Sequence, residues 1–122
     1  MIKTKSFREL IVWRKSMNLV VKVYKLTENF PKSEIYGLTS QMRRSAVALP
    51  SNIAEGYIRH HTKEYAQFIN VAFASGAELE TQLEISEKLE YITNKDYNEA
   101  QFLLEEVMKM LNRLLQILKT SS

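Results

Sequence analysis

Seven basic side chains in the first half of the sequence have the chemistry needed to bind phosphate groups: Arg14, Lys15, Lys22, Arg43, Arg44, Arg59 and Lys63. Arginine presents a planar fork of donors and lysine a compact charge, and both neutralise phosphates without reading a base sequence. Residues 1–63 contain 12 basic and 4 acidic residues, a net charge of +8, whereas residues 64–122 contain 5 and 10, a net charge of −5. Either the basic half binds nucleic acid, or the basic and acidic helices attract one another within or between subunits.

Catalytic and metal chemistry find no support in the residue pattern. The chain has no cysteine, so disulfides and thiolate metal ligands are excluded. Its two histidines, His60 and His61, have no glutamate three residues before them, which excludes the Glu-x-x-His pairs of di-iron bundles. Neither a G-x-S-x-G nucleophile turn nor a glycine-rich phosphate loop occurs. We therefore expect a non-enzymatic protein without a metal or cofactor.

Hydrophobic periodicity predicts that these cations stand on an all-α fold. The pattern indicates four helices near residues 7–28, 39–57, 62–90 and 95–119, joined by short loops. Ser6 and Glu9 have the spacing of a capping box, Thr39 is the predicted N-cap of the second helix, and Thr93 or Asn94 that of the fourth. The length of 122 residues suits one domain, an up-down-up-down, left-handed four-helix bundle.

The environment of the protein is predicted from what the chain lacks. The N-terminal residues contain no apolar core of a signal peptide, and no apolar run approaches the roughly 20 residues that a membrane-spanning helix needs. We therefore expect a cytoplasmic protein that does not enter a membrane.

The faces of the first three helices follow from the spacing of their apolar residues. In the second helix, Met42, Ala46, Leu49 and Ile53 form one stripe, and Pro50 predicts a kink. Gly76 in the third helix predicts close approach of another segment, for which the Pro50 region is a candidate. The predicted inward face of the first helix consists of Leu10, Trp13, Met17, Val20, Val21 and Tyr24.

The fourth helix carries more apolar surface than a single bundle buries. Its predicted core seam consists of Tyr97, Ala100, Leu104, Val107, Leu111, Leu114 and Leu118. Beside this seam, Leu103, Met110 and Ile117 recur seven residues apart and widen the apolar arc to roughly 180°. The second stripe predicts an oligomer interface.

Several motifs resemble those of a bacterial four-helix bundle family. They are FRELIVWRKSMNLVVKVYKLTENFP at 7–31, YGLTSQ at 36–41, QMRRSAVALPSNIAEG at 41–56, KEYAQF at 63–68 and ELETQL at 78–83. The family includes the proteins encoded in 23S rRNA intervening sequences and the accessory variability determinant of diversity-generating retroelements.

This resemblance implies a ring-like homopentamer without enzymatic activity, and RNA or DNA binding for some members. The sequence differs from the family pattern at Gln67 and Phe73, where a basic residue is common, and at Ala74-Ser75, where Gly-Ser is usual. Two functions therefore stay open: a nucleic-acid-binding accessory protein, and an oligomeric protein-interaction scaffold that does not bind nucleic acid.

Overall fold

The computed structural model describes residues 6–121 and contains four α-helices and no strand within that range. The helices are α1 (Ile11–Thr27), α2 (Leu38–Tyr57), α3 (Thr62–Lys88) and α4 (Asn94–Thr120). Each helix packs against its neighbours in the cyclic order α1, α2, α3, α4 and back to α1. The prediction of an all-helical four-helix bundle is confirmed.

Neighbouring helices run in opposite directions. Lys15 of α1 pairs with Glu106 of α4, and Lys22 pairs with Glu99. Residue numbers thus increase along α1 as they decrease along α4, so the two helices are antiparallel. The short connections between consecutive helices impose the same alternation on the other pairs. Side chains separated by up to 91 residues in sequence are thereby brought within hydrogen-bonding distance.

The first helix begins later than its capping signature predicts. The Ser6 hydroxyl accepts a hydrogen bond from the Arg8 N–H at 3.1 Å and caps a 3₁₀ turn over Phe7–Glu9, which backbone bonds from Glu9 to Ser6 and from Leu10 to Phe7 close. Leu10 then adopts an extended conformation, and α1 starts at Ile11. The predicted start at Phe7 is wrong because the extended backbone of Leu10 interrupts the helix after the capped turn.

Glu34, and not Thr39, caps the start of α2. Its Oε1 accepts a hydrogen bond from the Leu38 N–H at 3.0 Å, and its Oε2 accepts one from the Tyr91 hydroxyl at 3.0 Å. The hydrogen bond to Glu34 raises the pKa of Tyr91. A carboxylate here also complements the positive end of the helix dipole. The predicted cap at the start of α4 is confirmed, because Thr93 Oγ1 accepts from the Asp96 N–H.

One hydrophobic core receives side chains from all four helices. The predicted stripe of α2 is fully buried, and Pro50 lies inside the same uninterrupted helix. Gly76 of α3 faces Met108 of α4, so the prediction that it approaches the Pro50 region is wrong. The largest fully buried apolar side chains of α1, α3 and α4 are Leu19, Val23, Ile69, Leu79, Leu83, Leu104, Val107 and Leu111.

The inward face of α1 differs from the predicted one. Val12, Leu19, Val23 and Leu26 fill the core. Three members of the predicted face, Met17, Val21 and Tyr24, are instead between 39% and 52% exposed. The helix is apolar on two sides, and the periodicity alone does not distinguish the side that faces the core.

The seam of α4 is confirmed except at its two ends, where Tyr97 and Leu114 are only half-buried and Leu115 is buried instead of Leu114. The second stripe is divided. Leu103 and Met110 are half-buried and pack against the core of their own bundle, whereas Ile117 is 52% exposed. Part of the apolar excess of α4 is thus used within the chain.

Candidate nucleic-acid interface

The seven predicted phosphate-binding cations occupy three separate places on the bundle. Two lie where α1 meets α4, two lie in the groove between α1 and α2, and three lie at one end of the bundle. Lys3 and Lys5, which contribute to the charge of the basic half, lie outside the described residues.

Lys15 and Lys22 are paired with carboxylates of α4. The Lys15 Nζ donates to Glu106 Oε2 at 3.1 Å, and the Lys22 Nζ donates to Glu99 Oε2 at 2.7 Å. The hydrogen bond and the charge of Lys22 lower the pKa of Glu99, and Asp96 lies 3.9 Å from the same ammonium. These two lysines link α1 to α4, which is the intramolecular alternative left open by the charge distribution.

Arg43 and Arg44 lie in a surface groove between α1 and α2. The Arg43 guanidinium lies 4.5 Å from the centre of the Tyr24 ring, and its Nε donates to Thr27 Oγ1 at 2.9 Å. Neither arginine forms an ion pair with any residue in the range 6–121. This pair therefore lacks an ion-pair partner in the described chain, although Glu28 lines the same cleft and Glu78 lines a second cleft with Arg44.

The groove consists of two clefts that share Val47, and it is called the α1/α2 groove below. A cleft of about 760 Å³ lies beside the start of α2, and a smaller apolar one of about 330 Å³ lies beside its middle. The larger cleft is lined by Tyr24, Glu28, Ile35, Thr39, Ser40, Arg43, Arg44 and Val47. The smaller is lined by Trp13, Met17, Val20, Val47, Pro50, Ser51 and Ala54.

Arg14, Arg59 and Lys63 lie at the end of the bundle where α1 and α3 begin and α2 and α4 end, called the basic end. Arg14 donates from Nε to the Arg8 carbonyl oxygen at 2.8 Å. Arg59 lies 4.7 Å above the Phe68 ring and pairs with Glu55 at 3.3 Å. Lys63 is exposed and has no ion-pair partner among residues 6–121.

The two ends of the bundle differ in the sign of their charge. Residues 6–14, 54–65 and 117–121 carry five cations against three carboxylates, whereas residues 24–41 and 85–97 carry four against five. The five cations of the basic end are Arg8, Arg14, Arg59, Lys63 and Lys119. His60 and His61 are exposed at the same end and add positive charge when protonated.

Arg8 is a member of the basic end that the sequence reasoning missed. It precedes α1 in the 3₁₀ turn and faces solvent, with its guanidinium 4.7 Å from the centre of the Phe7 ring. Its proximity to Arg14 in sequence was the available signal, but the turn that brings them together was predicted as helix.

A half-buried tyrosine lies at each end of the bundle. At the basic end, burial, together with the neighbouring Tyr57, raises the pKa of Tyr65 to about 12. At the opposite end, burial and then the charges of Glu84, Glu87 and Glu80 raise the pKa of Tyr97. Both phenols therefore stay protonated and uncharged at neutral pH.

Within the part of the chain that the structure describes, no helix has the length and apolarity that crossing a membrane requires. Over the same residues, no cluster of three or more His, Cys, Asp or Glu side chains could hold a metal ion.

The fold and its cation-bearing surfaces define the class of the protein as a four-helix bundle with exposed basic side chains. Residues 8–113 match the model of a family described as the 23S rRNA-intervening sequence protein, and the chain belongs to that family. A solved structure from Bacteroides thetaiotaomicron, described as a protein of unknown function from the S23 ribosomal protein family, is similar with a TM-score of 0.78. It is 25% identical, and the similarity covers 86% of this chain and 98% of that one. No curated protein matches the chain.

Proposed function

We propose that this protein is a non-enzymatic, oligomeric nucleic-acid-binding accessory protein of the cytoplasm, and that its basic end contacts the phosphates. The observation that carries the proposal is the group of exposed cations Arg14, Arg59 and Lys63 at one end of the bundle. An assembly whose subunits point the same way adds these weak sites together, so that the face of the assembly binds more strongly than one chain.

The family supports this proposal through its description, which refers to proteins of 23S rRNA intervening sequences. An RNA partner is consistent with that description, and DNA is the alternative that the same phosphate chemistry allows. Five subunits, as the family resemblance implies, a left-handed twist of the bundle and a kink at Pro50 remain predictions. The α4 stripe of Leu103, Met110 and Ile117 remains a candidate contact between subunits.

A salt titration with two matched variants tests the proposal. We would measure the affinity of the protein for a structured RNA and a duplex DNA at about 50 and 200 mM salt, where phosphate contacts differ strongly in strength. The variant Arg14→Ala/Lys63→Ala removes two cations of the basic end that form no ion pair within residues 6–121. It should bind more weakly, and its plot of log affinity against log salt should be shallower by about 2.

The control is Lys15→Ala/Lys22→Ala, which removes the same two charges from lysines already paired with α4. It should weaken binding less than the variant of the basic end. Equal losses in both variants would mean that net charge alone governs binding. Absence of binding by the unaltered protein at the lower salt concentration would contradict the proposal.

The second candidate function is an oligomeric protein-interaction scaffold that does not bind nucleic acid. The exposed apolar side chains Met17, Val21 and Val47 in and beside the α1/α2 groove favour it, because apolar patches of this kind mark protein contacts more often than phosphate contacts. A stable oligomer that fails to bind either nucleic acid at low salt would select this function.

A further inference from the structure

The α1/α2 groove contains several apolar side chains that are exposed to solvent. Met17, Tyr24 and Val47 are each about two-fifths exposed, and Ile35 at one end is 51% exposed. The groove runs beside α1 from Trp13 to the C-terminal part of the helix. Exposed apolar side chains at both ends of a groove of this length are a common mark of a protein contact.

A complementary stripe lies on the outer side of α3. Val71, Glu78 and Ile85 recur every seven residues, so they lie on the same side of the helix. Val71 is 51% and Ile85 42% exposed, and the exposed residues between them include the small Ala74. At 1.5 Å per residue the stripe is about 21 Å long, compared with about 17 Å between Trp13 and Tyr24 along the groove.

Val71 lies at the height of the apolar cleft. A Cβ on Gly56 would lie 3.0 Å from the Cβ of Phe68, which places Phe68 beside the end of α2. Ser75 lines a cleft together with Ala48. Val71 lies between Phe68 and Ser75, so it is level with the stretch of α2 that forms the apolar part of the groove.

Glu78 lies at the height of the two unpaired arginines. It lines the same α2/α3 cleft as Arg44, yet it forms no ion pair with any residue of the described range 6–121. Ile85 precedes Ser86, whose hydroxyl donates to Met42 Sδ, and is therefore level with the first part of α2. Each member of the stripe thus has a counterpart in the groove at the same height, apolar at both ends and oppositely charged in the middle.

We propose that the occupant of the α1/α2 groove is α3 of a second copy of this chain, with Glu78 of one copy paired with Arg43 and Arg44 of the other. The inference specifies the contact of the self-association included in the proposed function, and it rests on that part of it. The apolar ends supply the attraction and the charge pair fixes the register, because a shift along the groove would leave a carboxylate against apolar side chains.

This contact joins two different surfaces and is heterologous. The groove lies on one side of α2 and the stripe on the other, so the two surfaces occupy adjacent sides of the bundle and not opposite ones. Repeating the contact turns each copy in the same direction, and the series closes into a ring where the copies do not shift along the bundle axis and the turn per copy divides a full rotation. All basic ends then lie on one face of the ring.

Disulfide trapping tests the contact directly, because the chain contains no cysteine of its own. Met17→Cys and Val71→Cys replace two exposed side chains at matching heights. Under mild oxidation, the chain with both substitutions should form a ladder of covalent multimers that reductant dissolves. Each single variant alone should stay monomeric on a denaturing gel, and a mixture of the two should give no species larger than a dimer.

Two outcomes would overturn the inference. An assembly that forms without crosslinking in the double variant would show that another surface is used. Crosslinking of either single variant with itself would show that equal surfaces meet, as in a two-fold dimer.

Charge reversal provides an independent measurement of the same contact. Glu78→Arg should raise the dissociation constant of self-association about tenfold or more, because it places like charges opposite one another. Glu84→Arg is the matched control, since it changes the same charge on a part of α3 that faces α4. Adding Arg44→Glu to Glu78→Arg should restore part of the affinity. Equal effects of the Glu78 and Glu84 variants would overturn the inference.

Failure of the inference and failure of nucleic-acid binding give different results. A chain that is monomeric at micromolar concentration in sedimentation overturns the inference. If it still binds RNA or DNA through the basic end, the nucleic-acid part of the proposed function stands. If the crosslinked ring forms but binds no nucleic acid at low salt, the inferred contact stands and the nucleic-acid part of the proposed function fails.

Discussion

The two edges of α1 show how differently one helix can meet its neighbours. On the edge facing α4, Lys15 and Lys22 are paired with carboxylates, and their charge is neutralised within the chain. On the edge facing α2, Arg43 and Arg44 have no such partner in the described chain, and apolar side chains stand in solvent beside them. The first edge is complete in a single bundle, whereas the second has the composition of a surface that meets another molecule.

The comparison also separates cations that the sequence groups together. A basic residue indicates possible phosphate binding only if no carboxylate of the same chain already neutralises it. By that criterion Arg14 and Lys63 of the basic end and the two arginines of the α1/α2 groove retain their positive charge. Arg59, which pairs with Glu55, and the two lysines that pair with α4 do not. The groove is also apolar, which favours a protein partner there and leaves the more polar basic end for nucleic acid.

The largest expected effect comes from placing a charge in the groove. Val47→Glu puts a carboxylate where the two clefts meet and should dissociate the assembly, because the charge must be desolvated when the second copy docks. Val47 is partly exposed, so the helix content of the variant should be unchanged. Sedimentation velocity measures the loss, and circular dichroism checks the fold.

Phe102→Glu is the control for this substitution. Phe102 is 64% exposed on α4, more than Val47, yet it lies outside both proposed contact surfaces. Its variant should assemble as the unaltered chain does. If the two variants dissociate to the same extent, the difference drawn between the two sides of the bundle does not hold.

A smaller effect is expected from Ile117→Glu in the second stripe of α4. Since Leu103 and Met110 pack against their own core, Ile117 is the member of the stripe with the largest exposed surface. We expect its substitution to weaken self-association less than Val47→Glu does, as measured by sedimentation equilibrium. Complete dissociation by Ile117→Glu would place the main contact on α4 instead.

A comparison of α1 with α2 shows what could be predicted from the sequence. In α2 the four spaced apolar residues are all buried, because that helix has one continuous apolar stripe. In α1 the predicted face was wrong, because Met17, Val21 and Tyr24 form a second stripe with the same period as the core residues. Periodicity detects both stripes, but only packing against other helices decides which one is internal.

The candidate site was predictable in its residue types and not in its grouping. The residue types alone identify the seven lysines and arginines that could bind phosphate. They do not show that these residues lie at three separate places on the bundle. Lys15 and Glu106 are 91 positions apart, so local sequence gives no sign that they pair. The cap of α2 was missed for a different reason: Glu34 is only four residues before Leu38, but it lies in the turn outside the helix.

Arg43→Lys should have a modest effect on the stability of the protein, because it changes a contact beside the α1/α2 groove. The guanidinium stacks on Tyr24 and donates to Thr27, and an ammonium cannot reproduce that planar contact. The expected loss in the free energy of unfolding is about 0.5–1 kcal/mol. Urea denaturation measures it, and Arg44→Lys, which has no such ring contact in the described chain, should lie close to the unaltered protein. A larger loss for Arg44→Lys would contradict the assignment.

The smallest expected effect is an acid sensitivity confined to the α1/α4 edge. Lys22 lowers the pKa of Glu99 below the ordinary value of 4.5, so the folded state holds this carboxyl in its charged form. The resulting stabilisation is present above the unfolded pKa and is lost as pH falls from there through the folded pKa. Its size is limited because the pair is exposed and screened by salt.

Melting temperatures measured from pH 7 down to pH 3 test this expectation in the unaltered protein and in Glu99→Gln. The melting temperature of the unaltered protein should exceed that of the variant near neutral pH, and the two should converge below pH 4.5, where Glu99 takes up its proton. Glu105→Gln is the control, because its partner Lys109 lies on the same helix and joins no two elements. If Glu99→Gln and the unaltered protein keep a constant difference at all pH values, the ion pair does not stabilise this edge. The contrast with the groove would then rest on apolar exposure alone.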